Sequence, residues 1–380
     1  SGKPISNEFG VYKIESVAEI KSKTTIQHQT LGEPETYRCA PLTPDGESIF
    51  VTAPVPYVAE IPDAIINSGS SIVIKDNFAI SDSLSHNRFG KFCDTASDRN
   101  IIARSDENLL FRRPDVSETL ESGIMLCGTA SDAYGHWTAE FLPKLRFYMQ
   151  HPDFSKLPLI IDDGMPFSHY EFLNCISENP QYRLQRGKTI RVRKLLLAPT
   201  DSFFPTDLKA NHEVPPHHQS TMTKGAISFL SEKINAKFGD PPDAPTEKIY
   251  LSRQNSKWRQ LSNELEICKI LSDYGFLIIR AENYSFEEQV RLFQNAKFII
   301  GSNGSALNNI VFSSKNARTI ILGQKEFFNW GTWLGNFIDC GYQVEYFSGG
   351  ASSSKRLKHS DYKVSAKALI KRLKIINALN

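Results

Sequence analysis

The sequence predicts an α/β protein whose C-terminal half is a doubly wound, Rossmann-like domain. Four apolar segments that read as strands begin at residues 248, 276, 297 and 318, so successive starts are 21–28 residues apart. This is the spacing of compact βαβ units, and connections of this length require parallel strands. Strands and helices also alternate in the first half from residue 122 onward, which is a second indication of an α/β fold.

The first half is predicted to be less regular at its start. Short β-rich runs within residues 1–120 alternate with Pro, Gly, Asp and Ser, which predicts hairpins and extended segments packed on a core. The elements predicted after them are a strand at 123–127, a helix at 136–149 bent near Pro143, a strand at 157–161, a helix at 166–176 and a strand at 190–198.

The clearest linker is the segment GDPPDAP at residues 239–245, which follows a predicted helix at 219–238. It sets the expected domain boundary. The predicted organisation is an N-terminal domain over 1–216 (a β-rich segment over 1–120 and an α/β segment over 121–216), a connecting helix and linker over 217–245, and a C-terminal domain over 246–380.

Helix starts in the C-terminal half carry capping signals. Asn263 with Glu266 and Ser285 with Glu288 each fit a capping box, in which two side chains bond reciprocally to backbone N–H groups. The last predicted helix, 365–379, is basic and amphipathic. We expect it to dock on the core and to present its basic face to solvent, although such a helix is also used at membrane surfaces.

The composition excludes several classes of protein. The 380 residues carry a net charge of +2, with 40% hydrophobic and 23% charged residues, which is an ordinary globular balance and not that of a disordered chain. No run approaches the ~18 apolar residues of a membrane span. The near-neutral charge gives no electrostatic reason to expect nucleic acid as a ligand.

No metal site is predicted. The six cysteines are scattered singly without a CxxC pair, and we expect free thiols in a reducing compartment. His212, His217 and His218 are interpreted as belonging to a polar loop, because no carboxylate stands at metal-site spacing. The pair Asp162-Asp163 follows a strand and is interpreted as a turn.

Two features converge on the carboxyl edge of the C-terminal sheet, where ligands of open parallel sheets bind. The loop 301–307 (GSNGSAL) is rich in small residues and opens a helix, so its amides can approach phosphate oxygens. Arg253, Lys257 and Arg259 follow the neighbouring strand, and arginine matches phosphate geometry. Taken singly, the loop could be only a tight turn and the cations only a solvated cluster. Because the two features converge on one edge, they predict an anionic ligand such as a nucleoside diphosphate.

Three further sequence features bear on cofactors and catalytic residues. The loop is not a GxGxxG fingerprint, which disfavours a nicotinamide cofactor and an epimerase. In the first half, His136 and Glu140 stand at i and i+4 after a strand and could supply a general base, or be a helix-start histidine and a solvated glutamate. Glu288 could line a site as well as cap its helix.

Taken in order, these motifs resemble glycosyltransferase family 61. They are YGHW at 134–137 followed by EFLP, a strand ending in Ser-Arg, SFEEQ at 285–289, and IIG with a small-residue loop and ALNN at 306–309. The resemblance covers about residues 123–322. It implies an inverting enzyme of GT-B type, with two Rossmann-like domains that face a cleft. The acceptor would bind mainly to the first domain and the donor mainly to the second. The donor would be a nucleotide sugar, mainly UDP-linked, and members typically bind no metal.

The resemblance also implies roles for individual residues. Glu140 stands where members usually carry Asp and would be the acceptor-activating base, oriented by His136; Asn303 replaces a His of the family's loop, and Ser305-Ala306 replaces Ala-Gly. The residues expected on the acceptor side are Tyr134, Gly135 and Trp137. Those expected to bind the donor are Arg253, Lys257, Arg259, Ser302, Asn303, Gly304, Ser305, Ala306, Leu307 and Glu288.

The expected function is therefore metal-independent, inverting hexosyl or pentosyl transfer to a glycan or glycolipid acceptor, with no cofactor besides the donor substrate. Glycosylation sequons begin at Asn283 and Asn303, and in a secreted protein a glycan on Asn303 would fill the donor loop. With unpaired cysteines, this favours a bacterial cytoplasm, at the inner membrane face, over a Golgi lumen. Capsule, exopolysaccharide or lipopolysaccharide synthesis would follow, with peripheral membrane association. The alternative is a non-catalytic nucleotide- or sugar-binding module with a degenerate transferase fold.

Overall fold

A computed structural model describes residues 8–41, 47–81, 98–105, 107–202, 221–241, 246–254, 256–324, 332–351 and 360–379. Contacts divide the chain into two compact units. The first comprises Ser1–Glu35 and Thr52–Glu213, and the second comprises Thr36–Val51 and Val214–Asn380. The predicted helix before the linker and a short N-terminal segment thus both belong to the second unit, an allocation that the sequence did not indicate.

The described residues form strands in both units. Their bounds are β1 Phe9–Glu15, β2 Gln27–Thr30, β3 Thr36–Cys39, β4 Ile49–Thr52, β5 Tyr57–Asn67, β6 Val73–Lys75, β7 Phe78–Ile80, β8 Ile101–Arg104, β9 Asn108–Arg112, β10 Val116–Leu120, β11 Gly123–Met125, β12 Leu159–Asp162, β13 Gln181–Leu184, β14 Thr189–Leu197, β15 Lys248–Leu251, β16 Leu277–Ile279, β17 Phe298–Ser302, β18 Arg318–Gln324, β19 Gln343–Ala351 and β20 Tyr362–Lys363.

Most of the described α-helices of the first unit are shorter than those of the second. The α-helices are Val17–Ile20, Tyr134–His136, Leu145–Tyr148, Phe167–Ile176, Lys224–Phe238, Glu264–Asp273, Phe286–Asn295, Thr332–Asp339 and Ala366–Ile375. The 3₁₀ turns are Leu142–Lys144, Phe154–Lys156, Ala281–Asn283 and Ser305–Phe312, and Trp137–Phe141 is a π turn. Among the described residues, none of these helices is long and apolar enough to cross a membrane.

The first unit is built on one mixed sheet of twelve strands. Ten of them follow the path β13-β12-β11-β14-β5-β6-β7-β1-β9-β8, while β10 pairs with β14 and β2 pairs with β5. β11 to β14 are parallel to one another, and β14 pairs antiparallel with β5. The N-terminal β-rich strands therefore continue the α/β segment instead of forming a separate layer. One of its core clusters includes Ile61, Ile66, Val192 and Leu195, all fully buried.

The second unit holds a six-stranded sheet in the order β16-β15-β17-β18-β19-β20. The first five strands are parallel, and β20 pairs antiparallel with β19. The four predicted strands lie within two residues of their predicted bounds, so the α/β class is confirmed. β19 and β20 extend the sheet beyond the predicted strands.

Local signals were confirmed in some helices and not in others. Ser285 and Glu288 form the predicted capping box. The predicted box at Asn263 is wrong: its side-chain amide donates to Glu266 and to the Val364 carbonyl instead of capping the helix. The last helix packs Leu369 and Leu373 into the second unit's core, as expected for a docked helix.

Candidate active site

The segment that carries the YGHW motif leaves β11 through a short loop and is not a regular helix. One α turn, Tyr134–His136, passes into the π turn Trp137–Phe141 and then into a 3₁₀ turn that contains Pro143. Proline has no N–H to continue the α-helical ladder, and the Leu142 N–H bonds instead to the Trp137 carbonyl, five residues back. The helix predicted over 136–149, with a bend near Pro143, is thus corrected to a series of tighter and wider turns.

His136 and Glu140 meet on this π turn. The His136 Nδ1 lies 2.6 Å from the Glu140 Oε2, and the two side chains are 16% and 12% exposed. A carboxylate that fixes one nitrogen of an imidazole sets its orientation and tautomer. The sequence spacing predicted this contact, and the pair keeps enough exposure to reach a substrate.

Trp137 lies in the core and does not face a ligand. Its side chain is fully buried, its indole N–H donates to the His169 carbonyl at 3.1 Å, and its ring stacks on Phe141. The expectation that Trp137 contacts the acceptor is therefore replaced by a positioning role. Tyr134 and Gly135 are partly exposed on the preceding turn.

His169 is a residue near this pair that sequence reasoning missed. It is 1% exposed, stacks on Trp137 and meets Tyr134 edge to face at 5.5 Å. Burial lowers the pKa of His169 to about 4, while the nearby Asp132 acts in the opposite direction. The imidazole is thus kept neutral beneath the turn that carries His136.

This burial predicts a pH-dependent stability. The unfolded chain takes up a proton on His169 near its ordinary pKa of 6.5, whereas the folded protein does so only near 4. Stability that is present above pH ~6.5 should be lost as the pH falls toward ~4. We expect urea unfolding between pH 7 and 4 to show a smaller acid loss in His169→Gln than in the wild type. An identical pH dependence in both proteins would exclude this assignment.

Asp162 organises the loop that leads into the YGHW turn. Its carboxylate accepts hydrogen bonds from the Gly69 N–H at 2.7 Å, the Gly128 N–H at 2.9 Å and the Ser131 hydroxyl at 2.7 Å. Burial raises the pKa of Asp162, and these donors partly offset the rise. The aspartate predicted as a turn residue therefore ties two loops to the carboxyl end of β12.

In the second unit, β17 ends at Ser302 and the predicted phosphate loop follows. Gly304 is the N-cap residue of the helix that follows, Ser305–Phe312, which has 3₁₀ geometry. Within the described segments of the chain, the N–H groups of Gly304, Ser305 and Ala306 donate to no hydrogen-bond acceptor. Three successive free amides form a site suited to an anion.

Arg253 lies directly over this loop. Its backbone N–H is held by the Glu264 carboxylate at 2.9 Å, and its guanidinium donates to the Trp258 carbonyl at 3.3 Å. A Cβ on Gly304 would lie 1.6 Å from Arg253 Nη1, so the close approach requires glycine. Burial lowers the pKa of Arg253, and its Nε is buried without a partner among the described residues.

Arg259 is electrostatically coupled to Arg253, whereas the Lys257 ammonium lies against the Trp258 ring. Burial, followed by the charge of Arg253, lowers the pKa of Arg259 to about 10. Two neighbouring guanidinium groups that are partly buried repel each other, and an anion bound between them would relieve this repulsion. The pair therefore indicates an anion-binding site. Lys257 is exposed, and its ammonium lies 5.0 Å from the centre of the Trp258 ring.

The remaining loop residues differ in what they can reach. Asn303 is 4% exposed, and its Nδ2 is buried without a partner among the described residues. Ser302, 2% exposed, lies by the Tyr250 and Tyr362 hydroxyls, and Leu307 is 1% exposed. Ser302 and Leu307, both expected to bind the donor, thus have almost fully buried side chains.

Glu288 is a cap and not a lining residue of the donor loop. Its carboxylate accepts from the Ser285 N–H at 2.7 Å and from the Ser285 hydroxyl at 2.9 Å, and these bonds lower its pKa. The next residue, Gln289, belongs to the SFEEQ motif but was given no role of its own from the sequence. Its amide donates to the carbonyls of Ala281 and Tyr284, and its oxygen accepts from Asn309 at 2.9 Å, which anchors the 3₁₀ helix.

Removal of this anchor should destabilise the second unit. Gln289→Leu keeps much of the volume but removes the hydrogen bonds from Gln289 to two carbonyls and the one that it accepts from the buried Asn309 amide. Losing hydrogen bonds to buried polar groups costs about 1–3 kcal/mol. We expect a lower urea midpoint with an unchanged slope. Glu287→Leu, two positions earlier on the exposed helix face, serves as the control. Equal midpoints for both variants would contradict the anchoring role.

No group of three or more metal-ligating side chains occurs among the residues that the structure describes. His212, His217 and His218 lie outside the described residues. Metal independence therefore stays a prediction.

Comparison with known proteins identifies the family. The model of the glycosyltransferase 61 family matches residues 134–321, from the YGHW turn of the first unit to β18 of the second. A search of curated proteins found no match. The matched region contains the His136–Glu140 pair, Arg253 and the Gly304 loop, and the chain belongs to glycosyltransferase family 61 and is a glycosyltransferase.

Proposed function

We propose that this glycosyltransferase moves a sugar from a UDP-linked donor to a hydroxyl of a glycan or glycolipid, with inversion at the anomeric carbon and without a metal ion. The observation that carries the proposal is the contact between Arg253 and Gly304. It places a guanidinium beside three free backbone amides at the carboxyl end of β17.

The second unit supplies the charge that a diphosphate leaving group needs. In sugar transfer, the bond between the anomeric carbon and the diphosphate oxygen breaks, and negative charge grows on that oxygen. Arg253, Arg259 and the amides of Gly304 to Ala306 would stabilise this charge in a partly desolvated place, as a divalent cation does in other enzymes. Asn303 adds a buried, unpartnered N–H₂ donor.

The first unit supplies the base. In this proposal Glu140 takes the proton of the acceptor hydroxyl, whose oxygen then forms the new bond to the anomeric carbon. His136, held at 2.6 Å, keeps the carboxylate oriented and can share the proton. The proposal includes the GT-B arrangement that the family resemblance implies, in which the first unit binds the acceptor and the second binds the nucleotide.

We further propose a role in bacterial surface polysaccharide synthesis at the cytoplasmic membrane face. Asn303 of the sequon is 4% exposed, so a glycan would not fit on it in this fold. The described cysteines are free, with Cys39, Cys127 and Cys340 buried, which supports a reducing compartment.

A transfer assay tests the proposed function. The purified protein is incubated in EDTA with a panel of UDP-, GDP- and CDP-sugars and with glycoside acceptors of known anomeric configuration. Product formation is followed by mass spectrometry, and the new linkage is assigned by NMR. We expect transfer from a UDP-sugar with inversion. Retention, strict metal dependence or a GDP or CDP preference would overturn the corresponding element of the proposal, and UDP binding without any transfer would favour the non-catalytic alternative.

A further inference from the structure

A second polar cavity lies in the first unit, where four strands begin or end. β5 ends at Asn67, β9 ends at Arg112, β10 begins at Val116 and β14 begins at Thr189. The cavity has a volume of about 190 Å³ and opens to solvent. At roughly 30 Å³ per water molecule, it holds about six waters, enough for a phosphate or one sugar ring but too small for a nucleoside diphosphate.

This cavity is separate from the His136–Glu140 pair. β11 runs parallel to β14 and pairs Gly123 with Leu195, so the chain that leads to His136 leaves beyond the Leu197 end of β14. The cavity lies at the opposite, Thr189 end. Eight residue steps at ~3.3 Å separate these two ends by about 26 Å.

The cavity wall carries an excess of positive charge. Arg112, Arg113 and Lys188 line it together with one carboxylate, Asp115. Among the described residues, no hydrogen bond or ion pair engages the Arg112 guanidinium or the Lys188 ammonium. The Arg113 Nε donates to the Phe9 carbonyl at 2.8 Å, which fixes that guanidinium at the rim.

A buried donor faces the same space. Asn67 lines the cavity and is 5% exposed. Its side-chain oxygen accepts from the Thr189 hydroxyl, which leaves the amide nitrogen as a donor. That Nδ2 atom is buried without a partner among the described residues. Because a buried unpaired donor is costly, it indicates that a ligand acceptor completes the site.

We propose that this cavity binds a small oxyanion, either the carboxylate of an acidic monosaccharide or a phosphate group. Arg112 presents a planar fork that matches two oxygens, Lys188 supplies a point charge, and the Asn67 amide donates to a third position. The Asp115 carboxylate would repel an anion, but the three cationic side chains outnumber it, so the net charge of the wall is positive. The proposal does not depend on the transferase activity, because the cavity is remote from the His136–Glu140 pair and lies in a different unit from Arg253.

Titration calorimetry at low ionic strength tests the proposal with three probes: inorganic phosphate, glucuronate and, as the neutral control, glucose. All proteins carry Arg253→Ala, so that the Gly304 loop contributes less to phosphate binding. The test variant is Arg112→Gln/Lys188→Gln. The control is Lys21→Gln/Lys237→Gln, which removes the same charge from exposed positions elsewhere.

We expect at least one of the two anions to bind, about tenfold or more weakly in the test variant than in the control, and glucose not to bind. Binding of glucuronate alone identifies an acidic sugar, and binding of phosphate alone identifies a phosphate group; each supports the site. Failure of both anions to bind, or equal affinity in test and control variants, overturns it. UDP binding is measured separately in Arg112→Gln/Lys188→Gln with Arg253 retained. This shows whether the proposed donor site binds UDP, independently of the result for the cavity.

Discussion

Arg253→Ala is expected to lower kcat/KM for sugar transfer by about 10²–10³. The guanidinium lies over Gly304 and beside three free amides, where the charge of the departing diphosphate would grow. The loss of one preorganised donor of this kind costs about 2.7–4 kcal/mol of transition-state stabilisation. Steady-state kinetics with the preferred UDP-sugar measures it. Lys257→Ala is the matched control: it removes an exposed cation four residues away and should leave the rate within about threefold.

Gly304→Ala tests the same contact from its other side. The φ angle of Gly304 is −171°, an extended conformation that alanine adopts without strain. A Cβ would instead displace Arg253, whose Nη1 lies 1.6 Å from that position. We expect a loss of about 10–100-fold in the wild-type background and a change of less than about threefold once Arg253 is already alanine, because the two substitutions share one mechanism. Additive losses would show that Gly304 acts independently of Arg253.

Glu140→Gln should lower kcat by about 10²–10⁴ while UDP affinity stays unchanged. The amide has nearly the same shape but cannot accept the acceptor's proton, and general-base catalysis is worth about this much. The residue lies in the first unit and Arg253 in the second, so donor binding is expected to be independent of it. Kinetics and UDP calorimetry on the same preparation separate the two effects. Glu178→Gln, an exposed glutamate of the same unit, is the control.

The outcome for Glu140→Asp tests how the base is placed. Because members of the family usually carry aspartate at this position, the shorter side chain is expected to retain some of the activity. It would, however, lengthen the 2.6 Å contact with His136 by about one methylene. If Glu140→Gln turned over at the wild-type rate, Glu140 would not be the base.

The C-terminal sheet was predictable because its strands are buried on both faces. Such strands are short apolar runs, and β15, β17 and β18 were found by that pattern together with regular spacing. The capping box was also predictable, because its two residues, Ser285 and Glu288, are close together in the sequence. The contact of His136 with Glu140 followed from i and i+4 spacing alone.

Features set by distant contacts could not be predicted in this way. The segment Thr36–Val51 belongs to the second unit through packing against residues some 300 positions away, such as Asn336, which donates to Cys39 Sγ. Asn263 looks like a cap, but its side-chain oxygen, which a cap would need as the acceptor, accepts from the Val364 N–H instead. β19 was missed because Gly and Ser in its second half weaken the strand pattern.

The same limit applies to the site. Gln289 stands in the SFEEQ motif, but its anchoring role is not visible until Asn309 is placed against it, and His169 gives no signal before Trp137 stacks on it. Candidate ligand-binding residues can be predicted from the sequence, because residue type and position in a motif indicate their chemistry. Residues that hold them in place can be identified only once the structure shows their partners.

Arg253 and the Gly304 loop are proposed to bind the diphosphate of UDP without a metal ion, and the whole mechanism depends on this. Titration calorimetry of UDP in EDTA, with GDP and CDP as controls and magnesium added afterwards, tests it most directly. We predict micromolar UDP binding in EDTA, little change with magnesium, and loss of binding in Arg253→Ala but not in Lys257→Ala. UDP binding that requires magnesium, or that survives in Arg253→Ala, would contradict the proposed mechanism.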